Sequence, residues 1–310
     1  ARSPREAVVS IAEMIPGSPQ RAELLQQAVK GRSLWDDARR RLLSNKAAVA
    51  GMIVLAFMVL AALIGPFVVP FHYDTVTKPD VWAAPGVGGH LLGADSLGRD
   101  LLARLVAGLG VSLAIGVVAT SVSLLIGVLW GAVAGYVGGR VDEVMMRIVD
   151  TLYSLPFIFF VILLMVTFGR NIFLIFLAIG AVEWLTMSRI VRGQTLSLKQ
   201  KEFVEAARAA GLSGSQIILK HIVPNLLGPV VVYVTLTIPA IIIAESFLSF
   251  LGLGVQPPMA SLGTLIAGGA QDMEIAPWLL IFPSLTMIIT LMAFNFIGDG
   301  LRDALDPKDR

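Results

Sequence analysis

The sequence predicts an all-α integral membrane protein with six transmembrane helices and both termini on the cytoplasmic side. Three observations lead there. First, the 310 residues are 56% hydrophobic and 15% charged, with a mean hydropathy of +0.79, whereas a soluble domain carries roughly 25% charge. Second, long runs free of Asp, Glu, Lys and Arg recur along the chain. Third, the basic residues gather on one side of those runs, as positive-inside topology requires. The composition also excludes other classes. Disorder needs low hydrophobicity and high charge. A disulfide scaffold needs cysteines, and there are none. The net charge of +2 flanks apolar runs and is not gathered with aromatics into a nucleic-acid patch.

A helix needs about 20 apolar residues to cross the hydrocarbon core. Residues 47–73, 105–139, 151–169, 171–188, 222–244 and 275–298 supply six such runs, the fourth interrupted only by Glu183. They are too long for barrel strands and lack a period of two. The first begins too deep in the chain for a cleavable signal peptide. With both termini inside, 20 of the 24 lysines and arginines are cytoplasmic, leaving Lys78, Arg99, Arg104 and Arg170 outside. The organisation expected is a cytoplasmic N-terminal region over 1–45, a first span over 46–72 and a periplasmic loop over 73–104. A five-helix core over 105–300 follows, carrying a cytoplasmic loop at 189–225 and a periplasmic gate loop at 251–274, and residues 301–310 form a cytoplasmic tail.

Residues 1–31 show no period and read as a loosely docked tail. Over 33–46, Ser33 and Asp36 have capping-box-like spacing. Asp36 and Asp37 precede Arg39, Arg40 and Arg41, which suits a helix dipole. Trp35, Ala38 and Leu42 share one face, so a short helix lying in the membrane interface is expected, with a solvated lead-in helix as the alternative. Val141, Val144, Met145 and Ile148 make an amphipathic stripe ahead of the third span. Asp150, at the start of that span, calls for a cap or an interhelical partner.

Residues 74–100 are rich in turn formers. His90, Asp95 and Asp100 are a poor metal set, because the three histidines lack paired ligand spacing. Residues 251–274, with Gln256-Pro257-Pro258, read as irregular backbone, tolerated near membrane depth where protein buries it or it lines a cavity. Pro229 and Pro239 are expected to kink the fifth span. Glu183, Glu245 and Gln256 are the pathway or gate candidates. The two acids are placed near span ends, where an interhelical hydrogen bond is favoured over a proton relay.

The most informative segment lies between the fourth and fifth spans. Residues 202–210 are rich in Ala and Glu and have high helix propensity. Gly211 is placed to stop that helix in a left-handed cap. Ser213 and Gln216 form a capping box opening a second helix, and Pro224 ends it or leads into the fifth span. The expectation is a helix–turn–helix hairpin on the cytoplasmic face. Ala206, Ala207, Ala209 and Ala210 allow close approach of another backbone, and Phe203 and Leu212 offer apolar anchors. The bland alternative is a well-capped loop without a partner.

Glu205-Ala206-Ala207, Gly211 four residues on and a closing Pro224 resemble the EAA loop of prokaryotic ABC importer permeases. His221 and Val223 stand where that loop usually has Ile and Leu, and His there is normal in the peptide-transporting branch. Leu92-Gly-Ala-Asp-Ser-Leu-Gly-Arg-Asp100, Ile190-Val-Arg-Gly-Gln194, residues 244–254 and residues 294–307 also look like the C-type permease of peptide importers. The resemblance covers nearly the whole chain from Gly31. It implies a type I ABC importer permease fold, with Phe203, Glu205, Ala206, Ala207, Gly211 and Leu212 in contact with the ATPase. It further implies a homologous B-type permease, two cytoplasmic ABC ATPases, a periplasmic peptide-binding protein and surrounding membrane lipid as partners, in a bacterial inner membrane.

The sequence agrees with that division of labour. No Gly-x-x-x-x-Gly-Lys-[Ser/Thr] phosphate loop is present, so ATP and Mg would be bound by partner ATPases and no cofactor is expected in this chain. No nucleophile–base–acid set appears, which argues against an enzyme, and no nucleic-acid partner is expected. The alternative function is a self-sufficient secondary transporter, which needs mid-membrane coupling-ion residues and often matched broken helices.

Overall fold

A computed structural model describes residues 34–169 and 171–305, and these are helical apart from loops, one 3₁₀ turn and one isolated bridge between Ala94 and Asp100. Helix α1 spans Leu34–Ser44 and α2 spans Lys46–Val68. Asn45 separates them. Its side chain caps α2 by accepting from the backbone N–H groups of Ala47 and Ala48 at 3.1 and 3.2 Å. The expected tail over 1–31 and the last residues, 306–310, lie outside the described residues. So do Ser33 and Arg170.

Helix α3 spans Leu101–Val137. Asp100 starts it, accepting from the Ala103 N–H at 2.7 Å. Its 37 residues rise about 55 Å at 1.5 Å each, far more than the roughly 30 Å hydrocarbon core. It begins four residues before the expected run. Helix α4 spans Gly139–Tyr153 and α5 spans Phe157–Phe168. The third span expected over 151–169 is thus not one straight helix. It is broken at residues 154–156, and the two helices meet at a bend of 81°. Pro156 has no N–H and disfavours a helical Leu155, which ends α4. Alone, α5 has 12 residues, about 18 Å, too short to cross. The described residues hold five helices long and apolar enough to span a membrane, or six if the bent pair counts as one.

Helix α6 spans Ile172–Leu198, α7 spans Glu202–Ala209 and α8 spans Gly214–Ile217. A π-helical turn over Ile218–Ile222 leads into α9, Val223–Phe250. Pro224 falls in the first turn of α9, directly after the π turn, in which the Val223 N–H reaches back to the Ile218 carbonyl and the helix accommodates the missing N–H. Pro229 and Pro239 are inside α9. The loop over 251–274 is less irregular than expected. It contains α10, Leu262–Gln271, opened by a capping box between Ser261 and Thr264. Helix α11, Trp278–Leu305, continues into the region expected as a tail.

The most extensive packing is between α3 and α6. Lipid tails are as apolar as Leu, so helices associate in a bilayer by close van der Waals fit, which small residues permit. Gly127, Gly131 and Gly135 recur every fourth residue on the face of α3 that meets Met187, Ser188, Val191 and Thr195 of α6. A Cβ built on Gly131 would fall 2.4 Å from the Ser188 carbonyl oxygen. Helix α4 is tied to α6 by charge. Arg192 donates from Nε and from a terminal nitrogen to the two oxygens of Asp142 at 2.6 and 2.7 Å. Arg189 donates to Asp150 at 2.8 Å and stacks over the Tyr153 ring. Asp150 thus has the interhelical partner the sequence called for. Helix α2 is the least buried of the long helices. It packs along α11 and leaves Ile53, Phe57, Leu60, Ile64 and Phe67 exposed. Helix α1 also packs on α11, with Ala38 buried.

Candidate functional site: the α7–α8 hairpin

Helix α7 ends in a Schellman turn. The Gly211 N–H donates to the Arg208 carbonyl at 3.0 Å, and the Leu212 N–H donates to the Ala207 carbonyl at 3.2 Å. Gly211 has φ of +78°, the left-handed region where a side chain is penalised. The chain then turns into the α8 capping box. Ser213 Oγ accepts from the Gln216 N–H, and Gln216 Oε1 accepts from the Ser213 N–H at 3.0 Å. Glu202 and Glu205 lie in the first turn of α7 and Arg208 in its last, favourable ends for the helix dipole.

The hairpin has two unlike faces. Val204, Ala207, Ile217, Ile218 and Ile222 are buried in one cluster with Val128 and Ala132 of α3 and Met187 and Val191 of α6, and Leu212 packs against it. Phe203, Glu205, Ala206 and Gly211 are exposed. The six residues expected to face a partner therefore divide. Ala207 and Leu212 point inward and are the apolar contact that accompanies a Schellman turn, so they hold the hairpin to the bundle. The other four keep an outward face, joined by Ala209 and Ala210. Sequence reasoning missed Tyr136 at the end of α3. The Arg208 guanidinium lies 5.8 Å from its ring centroid, and the ring edge sits 3.2 Å from a Cβ built on Gly214. The Val204-x-x-Ala207 spacing, one helical turn, was the available signal for the inward face.

The three pathway candidates occupy separate places. Glu245 is fully buried in α9. Its Oε1 accepts from Ser249 Oγ at 2.6 Å and from Ser261 Oγ at 2.7 Å. Ser112 of α3 accepts from the Leu262 N–H at 3.0 Å. These bonds fasten the start of α10 to α9 and α3, so Glu245 makes the interhelical bond expected of it. Gln256 lines a cavity of about 310 Å³ with Arg99, Arg104, Thr264 and Asp272. Its amide is already donated to the Gly254 carbonyl at 2.8 Å. Glu183 lies near the middle of the α6 helix and lines a different cavity of about 450 Å³. In the 74–100 loop, His90 is buried with Nδ1 at 2.9 Å from Asp100, while Asp95 takes Arg99 Nε at 2.8 Å. His90 and Asp100 thus brace the start of α3, while Asp95 holds the neighbouring arginine.

Glu245→Ala should lower stability by about 2–4 kcal/mol, because it opens a cavity and removes the acceptor of two buried hydroxyls. Glu245→Gln keeps an acceptor oxygen and should cost less. Thermal unfolding of the detergent-extracted proteins gives the order, and equal melting temperatures for wild type and the Ala variant would contradict it.

Comparison with known proteins agrees with this geometry. Residues 127–310 match the family of binding-protein-dependent transport system inner membrane components, and residues 33–85 match the N-terminal transmembrane domain of oligopeptide transport permease C. The chain belongs to that family of ABC importer permeases, whose members are membrane components and not enzymes. It is 57% identical over 283 residues to the oligopeptide transport system permease protein OppC of Escherichia coli, covering 91% of this chain and 94% of the relative. It is 55% identical over 300 residues to OppC of Haemophilus influenzae, covering 96% of each. It is 46% identical over 281 residues to the dipeptide transport system permease protein DppC of Bacillus subtilis, covering 90% of this chain and 87% of the relative. Among solved structures, the inward-facing MetNI methionine ABC transporter has a chain with TM-score 0.52 and 24% identity, covering 65% of this chain and 96% of that one. That likeness shows the permease fold.

Proposed function

We propose that this chain is the C-type permease subunit of an ATP-driven peptide importer in a bacterial inner membrane. It pairs with a homologous B-type permease to form the pathway, and a periplasmic peptide-binding protein delivers cargo to the outer face. Two cytoplasmic ATPases bind ATP and Mg and dock on the hairpins. One observation carries the coupling role. The α7–α8 hairpin is cemented to the bundle by Val204, Ala207 and Leu212 while Phe203, Glu205 and Ala206 remain exposed. A push on the outer face is therefore transmitted to α3 and α6, and through the π turn directly to α9. The peptide relatives, at up to 57% identity, support the cargo class. The bent α4–α5 pair counts as one of six spans in this reading, and both termini are cytoplasmic by the distribution of Lys and Arg.

Topology is tested with single cysteines, since the chain has none. Val87 and Met273 are 55% and 52% exposed, and Ser215 is exposed. Val87→Cys and Met273→Cys should react with an impermeant thiol reagent in cells whose outer membrane is permeable to it. Ser215→Cys should react only after the inner membrane is opened. Reaction of position 215 in sealed cells would reverse the orientation. The function itself is tested by deleting the gene and measuring tri-alanine uptake, which should vanish and return with the plasmid-borne chain.

A further inference from the structure

Glu183 poses a physical question that the fold leaves open. It sits near the middle of a membrane-spanning helix, where an acid is costly without a cationic partner. Among the described residues it has no ion pair. The nearby arginines of α6 are engaged elsewhere, Arg189 with Asp150 and Tyr153 and Arg192 with Asp142. Glu183 faces a cavity of about 450 Å³, within the range of small-ligand sites. The cavity lies at the break between α4 and α5, and its wall includes Tyr153, Phe160, Thr186 and Ala244. One carboxylate, the Phe160 ring and the Thr186 hydroxyl in an otherwise apolar space suit a cation, which the carboxylate neutralises.

We infer that the Glu183 cavity is a transient subsite for the ammonium or guanidinium of a basic side chain on the passing cargo. The inference rests on the peptide-importer reading. It makes Glu183 a selectivity-determining residue of this chain, acting after delivery by the binding protein. A lysine side chain would lay its alkyl stem along Val182 and Phe160 and present its charge to Glu183, as amphipathic side chains do. A neutral peptide crosses the same space without that contact.

The test compares tri-alanine and tri-lysine uptake through the complete importer in cells lacking other peptide carriers. Wild type must first take up tri-alanine. Failure there overturns the importer reading and leaves the subsite question behind it. With Glu183→Gln, tri-alanine uptake should stay within about twofold while tri-lysine uptake falls about tenfold or more, the loss of one charge-assisted contact. Glu183→Asp should retain much of the tri-lysine uptake. Thr186→Lys is the second variant. Three residues on, on the same helical face, its ammonium would pair with Glu183 and fill part of the space, so tri-lysine uptake should fall further than tri-alanine uptake. The binding protein is identical in every strain, so its own preferences cancel in the ratio. If Glu183→Gln lowers both peptides equally at normal membrane abundance, Glu183 pairs with another subunit and the subsite is wrong. If neither peptide changes, Glu183 is a bystander and the subsite is equally wrong.

Discussion

Gly131→Val is expected to abolish the stable protein. At this glycine the packing of α3 on α6 leaves no room for a side chain. The first added carbon would meet the Ser188 carbonyl at 2.4 Å, Val191 Cβ at 2.8 Å and the Arg192 backbone nitrogen at 2.9 Å. Two of these three are backbone, so no rotamer change relieves the clash, and the helices must separate. Overpacking a tight core costs about 1–3 kcal/mol, and more where the backbone has to move. Separation also breaks the contacts of Gly127 with Met187 and of Gly135 with Thr195, because the three glycines form one ridge. Bilayer packing offers no hydrophobic force to compensate. Gly131→Ala should reduce the amount extracted in detergent, and Gly131→Val should reduce it to near background. Gly193, also on α6, has open space where a Cβ would stand, so Gly193→Ala is the control and should accumulate normally. Normal accumulation of Gly131→Val would show that α3 and α6 do not pack along this ridge.

Gly211→Val should separate folding from coupling. No atom lies within 4 Å of a Cβ built there, so the effect comes from backbone conformation alone. At φ of +78° a β-branched residue carries strain of about 1–3 kcal/mol, which disfavours the native turn by about 5- to 150-fold. The variant should accumulate in the membrane, because nothing in the bundle meets a side chain at position 211 and the α3–α6 glycine contact itself is untouched. It should lose copurifying ATPases and most peptide uptake, while Gly211→Asn, tolerated in the left-handed region, should retain more of both. Ala206→Asp, on the exposed face, is expected to act in the same direction without touching the turn. Full uptake by Gly211→Val at normal abundance would remove the hairpin from the coupling role.

Much of this architecture is legible in one dimension. Composition and uncharged runs suffice to announce a polytopic helical protein, because a bilayer admits only closed hydrogen bonding and excludes charge. The hairpin is legible because its stop and start signals are local. Gly211 can adopt a conformation other residues avoid, and Ser213 and Gln216 reach only their own helix's first turn. The proline at 156 was visible too, but whether it would kink a span or end one was not. The course of α4 ahead of it is set by Arg189 and Arg192, which hold α4 against α6 through Asp150 and Asp142, 39 and 50 residues away from them in sequence.

The sequence by itself determined the class of protein, the hairpin and the residues able to cap it, since each rests on nearest neighbours or on solvent preference. Only the tertiary structure decided how the hairpin's residues divide. Ala206 and Ala207 are adjacent and chemically identical, yet 100° of helical rotation exposes one and buries the other against Val128 and Met187. The same holds for the acids. Glu183 and Glu245 look alike along the chain. Glu245 Oε1 accepts from Ser261, sixteen residues on and brought to it by α10, whereas Glu183 faces an open cavity. Partnership between distant side chains is a property of packing, and the local pattern carries no record of it.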